Sequence, residues 1–309
     1  MIIWSILVTL FRRVWIENFK NTADIEINIL RWWQHRIFRN SGVSADGTEI
    51  YLDTDWLTSL QSTAYSDRIT WIENAYEFID QPGEWYLNRS ESKLYYKPDG
   101  SMDGKSATLP VTEQLLVFEG TENITFDGVK FEDTSWLTPN EIGYNDAQSG
   151  TYAQHNGVWG DVPGAIETHA AKNITITNSE LRNLGIGGIR IGNGSSDCAI
   201  TNSAIHDISS SGIFIGNNTG HNHGYCDPGT DVTGVVVRNN YITRTGLDIF
   251  GSSAICALYT SDTVIDHNEV CYTTYTGISL GWGWDWKNAP CSGNNTVSNN
   301  YIHDTGKTI

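Results

Sequence analysis

The sequence has little positive charge. Its 309 residues include 19 lysines and arginines against 36 aspartates and glutamates, and the formal net charge is −17. Nucleic acids and anionic membrane surfaces attract clustered lysine and arginine, so this balance argues against both as partners. A strongly anionic polymer is also disfavoured as the ligand.

Long apolar runs and targeting signals are missing as well. Residues 2–11 are apolar, but a stretch of this length is too short to span a bilayer. Arg12 and Arg13 follow it, whereas a signal peptide places its positive charge first and ends at small residues. We therefore expect a buried strand at 2–11, no signal peptide and no membrane partner.

Cysteine is sparse, and no CxxC pair occurs. An odd number of cysteines leaves at least one thiol free. Cys226 and Cys291 fall on long loops that leave one predicted sheet, and a disulfide between them would suit an oxidising compartment. The pairing stays open at this point. The five cysteines are Cys198, Cys226, Cys256, Cys271 and Cys291.

What the sequence does contain is a short repeat. The stretch Gly-Ile-Arg-Ile-Gly-Asn at 188–193 returns as Gly-Ile-Phe-Ile-Gly-Asn at 212–217, and more loosely at 254–259, 277–282 and 165–170. Each copy alternates small or aliphatic residues, which predicts a short strand. Further strand-like stretches lie between the copies, and no helical stripe accompanies them. A period of this length built from short strands is typical of a β-solenoid.

The spacing also predicts which side chains point inward. Because strand residues alternate between faces, we expect the isoleucines of successive copies to stack inside one sheet. The corner positions carry asparagine or histidine, and we expect these side chains to form a hydrogen-bonded ladder. The stacked isoleucines are Ile189, Ile213, Ile255 and Ile278. The corner residues are Asn178, Asn202, Asn239, His267 and Asn299.

Residues 1–115 lack this period. Short strand-like runs alternate there with turn signals, and the run at 84–87 facing 92–96 predicts a hairpin. We therefore expect an all-β protein, with a β-rich accessory region at 1–115 and a solenoid at 116–309. A long loop at 135–163 interrupts the solenoid.

Five stretches resemble one known family, in the same order along the chain. They are Pro-Gly-Glu-Trp-Tyr-Leu at 82–87, Lys-Leu-Tyr-Tyr-Lys-Pro at 93–98, Ile-Thr-Phe-Asp-Gly at 124–128, Gly-Tyr-Asn-Asp-Ala-Gln at 143–148 and Tyr-Thr-Gly-Ile-Ser-Leu-Gly-Trp-Gly-Trp at 275–284. Over residues 15–309 the sequence is similar to the bacterial right-handed parallel β-helix proteins related to glycoside hydrolase family 141. That family includes fucosidase and xylanase activities. The resemblance implies a right-handed parallel β-helix and an extracellular or periplasmic glycan-degrading hydrolase that acts on an oligo- or polysaccharide.

The same spacing bears on the end of the chain. The constant step of eight residues from strand to strand leads from Ile302 to position 310, one beyond the last residue. The resembling family continues with a further coil that carries a glycine-flanked aspartate. We therefore expect a truncated β-helix that holds only part of the catalytic pair and has weak or no activity alone. We expect a monomer once the missing coils cap it.

Glycoside hydrolysis calls for two carboxyl groups, an acid and a base or nucleophile, roughly 5 to 10 Å apart. Glu167 is one candidate, because it lies outward on a predicted strand with Arg190 stacked one coil later. A surface ion pair of little energetic value is an equal alternative for these two residues. Asp248 is a second candidate, since it lies in an insertion at 247–251 and insertions on one face often build a binding face. A plain exposed loop residue is the alternative for Asp248.

Asp285 is the third candidate catalytic residue. It follows Trp282-Gly-Trp284 at the end of a predicted strand, where two indole rings beside a carboxylate suit a sugar platform. We expect a groove on the outward face of the Glu167 strand and its copies, with walls from 135–163, 247–251 and 282–294. Candidate substrate-binding residues are His169, Arg190, Trp282, Trp284, Tyr144, Asp146, Gln148 and Tyr259, and the 135–163 loop also offers His155, Trp159 and Asp161.

No metal or cofactor is expected. His221 and His223 beside Cys226 and Asp227 offer zinc-type ligands, but their spacing matches no standard site. Calcium is a second possibility, since pectate-lyase-like helices use it, but the scattered aspartates form no calcium loop. Two other functions stay open: a non-catalytic polysaccharide-binding or adhesin-like β-helix, and a pectate-lyase-like lyase. Carboxylates in an aromatic groove would favour the hydrolase, and aromatic residues alone would favour the binding protein.

Overall fold

The computed structural model describes residues 5–7, 18–31, 33–44, 49–52, 70–153, 159–216, 229–281 and 291–307. These residues divide into two compact units. The first comprises the described residues up to 107 together with 137–145 and 153, and the second comprises 108–136, 146–152 and the described residues from 159 onward. No helix in the described part of the chain is long and apolar enough to cross a bilayer.

Antiparallel strands build the first unit. They are β1 (Ser5–Leu7), β2 (Glu26–Arg31), β3 (Gln34–Val43), β4 (Glu49–Leu52), β5 (Trp71–Glu73), β6 (Trp85–Asn88) and β7 (Lys93–Tyr96). The first five pair in the order β1–β4–β3–β2–β5, and the hairpin predicted at 84–96 is present as β6–β7. Two 3₁₀ turns (Thr22–Asp24 and Tyr76–Phe78) join the strands. Ile25, Ile27 and Phe38 lie in the apolar core of this unit.

Parallel strands build the second unit, in three sheets of six. The first sheet contains β8 (Leu116–Glu119), β14 (Gly164–His169), β17 (Gly187–Ile191), β20 (Ile213–Gly216), β24 (Ile255–Leu258) and β28 (Ile278–Leu280). The second contains β9 (Glu122–Asp127), β15 (Lys172–Thr177), β18 (Ala199–Thr201), β22 (Val236–Arg238), β26 (Val264–Asp266) and β29 (Thr296–Ser298). The third contains β10 (Lys130–Thr134), β16 (Glu180–Leu184), β19 (Ala204–Ile208), β23 (Tyr241–Thr245), β27 (Glu269–Thr273) and β30 (Tyr301–His303). The chain visits the three sheets in turn, so the unit is a parallel β-helix of six coils, and the all-β prediction is confirmed.

The repeat stacks in the register that the sequence predicts. Ile189 pairs with Ile213, Ile213 with Ile255, and Ile255 with Ile278. Glycine opens the repeat because the coils approach closely at that point. A Cβ atom at Gly188 would lie 2.3 Å from a backbone oxygen of the next coil, so a larger residue there would push the coils apart.

The predicted corner ladder is present in part, since Asn239 Nδ2 donates to Asn202 Oδ1 at 3.4 Å, and a second, buried ladder lies one residue later. The predicted residues take left-handed backbone conformations, with φ of 50° at Asn178 and 56° at Asn239, which asparagine adopts at modest cost. The buried ladder is formed by Asn240, Asn268 and Asn300, since the amide of each of the first two donates to the next at 3.0 and 2.9 Å. Paired amides satisfy polar groups that burial would otherwise leave without partners.

The segment 135–163 is a structured insertion between the first two coils. It contains α1 (Thr138–Ile142), β11 (Tyr144–Gln148), β12 (Thr151–Ala153) and β13 (Trp159–Asp161). The hairpin tip, residues 148–151, packs on the turns that lead from the third sheet to the first. Ser149 Oγ lies 3.1 Å from Ser253 Oγ, and Gln148 Nε2 donates to the Tyr275 hydroxyl at 3.2 Å. The remaining strands, β21 (Val232–Thr233) and β25 (Thr260–Ser261), pair with each other.

Candidate functional site

A charge network lies on the outward face of the first sheet, centred on Glu167. The carboxylate accepts hydrogen bonds from Gln114 Nε2 at 2.8 Å, the Gly164 backbone N–H at 3.1 Å and Arg190 Nη1 at 2.6 Å. A Cβ atom at Gly164 would lie 2.7 Å from the backbone nitrogen of Arg190. Glycine at this position therefore lets the backbone N–H approach the carboxylate.

Arg190 joins Glu167 to a second carboxylate. Its Nη2 donates to Asp161 Oδ2 at 2.8 Å, and its guanidinium lies 5.7 Å from the centroid of the Phe214 ring. Burial disfavours the charged guanidinium, but Asp161 and Glu167 outweigh burial and hold the pKa of Arg190 above its ordinary value. One guanidinium therefore bridges the two carboxylates and occupies the space between them.

His169 is the solvent-facing end of the network. Its Nε2 lies 3.1 Å from Glu167 Oε1, and 30% of its side chain is exposed, against 6% for Glu167. An imidazole held by a buried carboxylate is fixed in orientation, as in catalytic triads. Of the network's residues, His169 is therefore the one placed to meet a ligand from solvent.

The middle of this face, beyond Arg190, is covered rather than open. Phe214, Cys256, Leu258 and Tyr259 form a buried apolar cluster on it. Burial raises the pKa of Cys256 well above its usual range. The predicted groove therefore does not run as an open surface along these strands, and the predicted binding residue Tyr259 lies in the cluster.

Asp248 lies apart from that network, at the turn from the third sheet to the first. Its Oδ2 accepts a hydrogen bond from Ser209 Oγ, and its backbone N–H donates to the Ser209 carbonyl at 3.1 Å. The residue is exposed, yet protein atoms crowd the carboxyl group. Desolvation raises the pKa of Asp248 above its usual value, although the hydrogen bond from Ser209 lowers it. A carboxyl with a raised pKa suits the acid in general acid catalysis.

The predicted residues of the 135–163 insertion have different surroundings. Tyr144 and Asp146 are buried, and Gln148 contacts Tyr275 as described above. Asp161, at the end of β13, is brought to Arg190. Asp161 is the partner that sequence reasoning placed only loosely, as one of several polar residues in a long loop. No repeat pattern connects it with Arg190.

Several predicted residues lie outside the described residues. They are Asp285, Trp282, Trp284, His155, His221, His223, Cys226 and Asp227. Cys291 forms a disulfide, and its candidate partner Cys226 is among these residues. Cys198, Cys256 and Cys271 are free and buried.

The outward face of the third sheet is open by contrast. Tyr241, Tyr272 and Tyr301 are exposed there. Arg182 Nε donates to Glu132 Oε2 at 2.8 Å across two coils, and both side chains are more than a third exposed. This face therefore combines aromatic rings with solvated ion pairs.

Comparison with known families supports the fold. The family model described as "Right handed beta helix region" matches residues 164–309, which agrees with the parallel coils seen here and with the predicted right-handed sense. No curated protein matches the sequence.

Two solved structures show what the chain is similar to. One, titled "Glycoside hydrolase", superposes with a TM-score of 0.84 at 24% identity, and the match covers 99% of this chain and 59% of that one. The other, titled "Crystal structure of alginate lyase from Paenibacillus sp. str. FPU-7", gives a TM-score of 0.25 at 15% identity, covering 60% of this chain and 74% of that one. The first likeness shows the fold, and the second is too weak to support an argument. The chain spans 59% of the length of the first structure.

Proposed function

We propose that this chain is part of a glycan-degrading glycoside hydrolase of the β-helix type. The observation that carries the proposal is the buried charge network of Glu167, Arg190 and Asp161, which reaches solvent through His169. A carbohydrate-directed role is also supported by the fold shared with the structure titled "Glycoside hydrolase". The substrate is an oligo- or polysaccharide, and the location is extracellular or periplasmic.

The carboxyl groups have different surroundings, and we assign them different roles in catalysis. Glu167 has its oxygens occupied by four donors, so we assign it to orienting His169 and holding negative charge near the ligand. Asp248, exposed and with a raised pKa, is our candidate for the proton donor to the leaving oxygen. Asp285 remains a proposed partner carboxylate outside the described residues. Hydrolysis then consumes one water and leaves one reducing end for each glycosidic bond broken.

The test is release of reducing ends from xylan and from fucosylated oligosaccharides. We expect Asp248→Asn to lower the rate by about 10²- to 10⁴-fold, the range of a general acid, with unfolding unchanged. Asp262→Asn is the matched control, because Asp262 is a turn residue on the second sheet with φ of 53°, which asparagine tolerates. Equal rates for the two variants would contradict the proposal.

A second candidate is a non-catalytic polysaccharide-binding β-helix. The exposed tyrosines on the third sheet favour it, since aromatic rings on a flat open face can stack against sugar rings. Binding to polysaccharide without release of reducing ends, lost when Tyr241 and Tyr272 are replaced by alanine, would support this candidate over the hydrolase.

A further inference from the structure

The third sheet carries the same polar motif twice. Ile-His-Asp occurs at 205–207 and again at 302–304. In the first copy, His206 Nδ1 lies 2.7 Å from Asp207 Oδ2, and its Nε2 lies 3.2 Å from Glu180 Oε1 on the preceding coil. The motif therefore holds an imidazole between its own aspartate and a glutamate one coil earlier.

The second copy repeats this geometry. His303 Nδ1 lies 2.9 Å from Asp304 Oδ2, and Nε2 lies 3.5 Å from Glu269 Oε1. Tyr301 stacks on the imidazole, with ring centroids 4.3 Å apart. The ring thus has a fixed plane, and its Nε2 points toward the neighbouring coil.

One position distinguishes the two copies. In the first, the residue paired with His206 on the preceding strand is Arg182, and in the second, the residue paired with His303 is Cys271. Arg182 and Lys130 both lie within 4 Å of Glu180. Among the described residues, no lysine or arginine forms an ion pair with Glu269. The first copy therefore has two cations beside its glutamate. The second has a thiol where the guanidinium would be, and its aspartate, Asp304, pairs with Lys307 at 3.2 Å.

We propose that Glu269, Cys271 and His303 form a binding site for a zinc-type divalent cation on the third sheet. Their ligand atoms all lie within 4.8 Å of one another. Thiolate, imidazole and carboxylate together are a ligand set that suits Zn²⁺. Asp304 on the far nitrogen of His303 supplies the carboxylate that usually orients a metal-bound imidazole.

The distances between the three ligand atoms fit a tetrahedral zinc site after small side-chain movements. With zinc–ligand distances of about 2.0 to 2.3 Å, ligand atoms lie roughly 3.3 to 3.8 Å apart. The separation of 3.5 Å between His303 and Glu269 already falls in this range. The sulfur needs an approach of at most about 1 Å. Binding displaces the Cys271 thiol proton to solvent, and water takes the fourth position beside Glu269, whose side chain is 47% exposed.

The experiment is a titration of chelator-treated protein with Co²⁺, which reports thiolate ligation by a near-ultraviolet charge-transfer band, followed by displacement with Zn²⁺. We expect one equivalent to produce the band. Cys271→Ser abolishes it, and Asp304→Asn weakens Co²⁺ binding by about 10- to 100-fold. His206→Gln and Cys256→Ser leave the titration unchanged, because these residues lie outside the site.

The position that differs between the two copies, Arg182 in the first and Cys271 in the second, allows a second, independent test. Arg182→Cys gives the first copy the residue types of the second, and we expect it to bind a second equivalent of Co²⁺ with a thiolate band. Glu269→Gln, a change at an exposed side chain, weakens binding without affecting the fold. The proposal is overturned if the unmodified protein gives no thiolate band at stoichiometric Co²⁺. It is equally overturned if the band survives Cys271→Ser.

Discussion

Two stacked glutamate–arginine pairs on the same β-helix have opposite surroundings. Glu167 and Arg190 on the first sheet approach to 2.6 Å, and Glu132 and Arg182 on the third sheet approach to 2.8 Å. The first pair has side chains 6% and 13% exposed, whereas the second pair is 39% and 36% exposed. The strands supply equivalent positions in both cases. The difference in exposure therefore comes from the chain that packs on the first sheet, which includes Asp161.

Burial changes how much each ion pair contributes to stability. A charge in water gains little from a partner and loses little without one, but a buried charge needs every partner it has. Arg190 therefore fixes residues 159–163 to the first sheet through Asp161, whereas Arg182 lies on a solvent-exposed surface. The contrast therefore separates a buried ion pair on the first sheet from a solvent-exposed one on the third.

The largest expected effect is at Arg190. Arg190→Ala removes the buried cation that Glu167 and Asp161 share, and we expect the free energy of unfolding to fall by about 3–5 kcal/mol. Arg182→Ala removes the equivalent stacked arginine from the open face and should cause a much smaller loss. Urea denaturation of both variants measures the difference. Similar losses of unfolding free energy would show that burial of the Glu167–Arg190 pair has no energetic consequence.

A second, smaller effect tests how closely the hairpin tip, residues 148–151, packs on the β-helix. Gly150 has φ of 81° at the hairpin tip, and an added Cβ would lie 3.3 Å from the hydroxyls of Ser210 and Ser252. Gly150→Ala should cost about 1–2 kcal/mol for the left-handed backbone, with a further loss from crowding. Gly100→Ala is the control, because Gly100 has φ of 82° and nothing within 4 Å of the added atom. Equal losses in thermal or urea unfolding would mean that the hairpin is not closely packed.

The smallest effect lies on the open face and depends on pH. The hydrogen bond from Arg244, aided by His206, lowers the pKa of Asp207 to about 2, although partial burial opposes this. Because an unfolded aspartate titrates near 3.9, the stabilising contribution of Asp207 is complete above about pH 4 and is lost as the pH falls toward 2. Asp207→Asn should therefore be less stable than the unmodified protein at pH 5, with the difference shrinking at lower pH.

Salt sharpens the same measurement. The Arg244 side chain is 53% exposed, so about 1 M NaCl, with a Debye length near 3 Å, should reduce the effect of Asp207→Asn at pH 5. The effect of Arg190→Ala should persist in the same buffer, since buried pairs are screened much less. A pH-independent difference for Asp207→Asn would contradict the assigned ion pair.

The fold was accessible from sequence because the repeat carries it. Ile189, Ile213 and Ile255 recur at positions that only stacked coils explain, and their register is as expected. The second, buried asparagine ladder was not predicted because Asn239 and Asn240 are adjacent and identical in type. The pattern does not tell which of two neighbouring asparagines takes the left-handed corner and which turns inward.

The site was less accessible because it depends on a segment without a repeat. Glu167 and Arg190 could be stacked from their spacing, which left a surface pair and a functional pair as equal interpretations. The partner of Arg190 from the insertion is Asp161, and contacts between a loop and a distant strand leave no period in the sequence. The serine hydroxyls that hold the hairpin are common turn residues, so composition gives no warning of them either.

Each sheet of the β-helix contains or adjoins one buried free thiol. Cys256 belongs to the first sheet, Cys198 directly precedes a strand of the second, and Cys271 belongs to the third. Burial raises the pKa values of Cys198 and Cys256, which keeps both as unreactive thiols in the folded state. An alkylating reagent can reach them only during local opening. In chelator-treated protein, the labelling rates of the three thiols, separated by mass spectrometry, would therefore report how often each sheet of the same molecule opens.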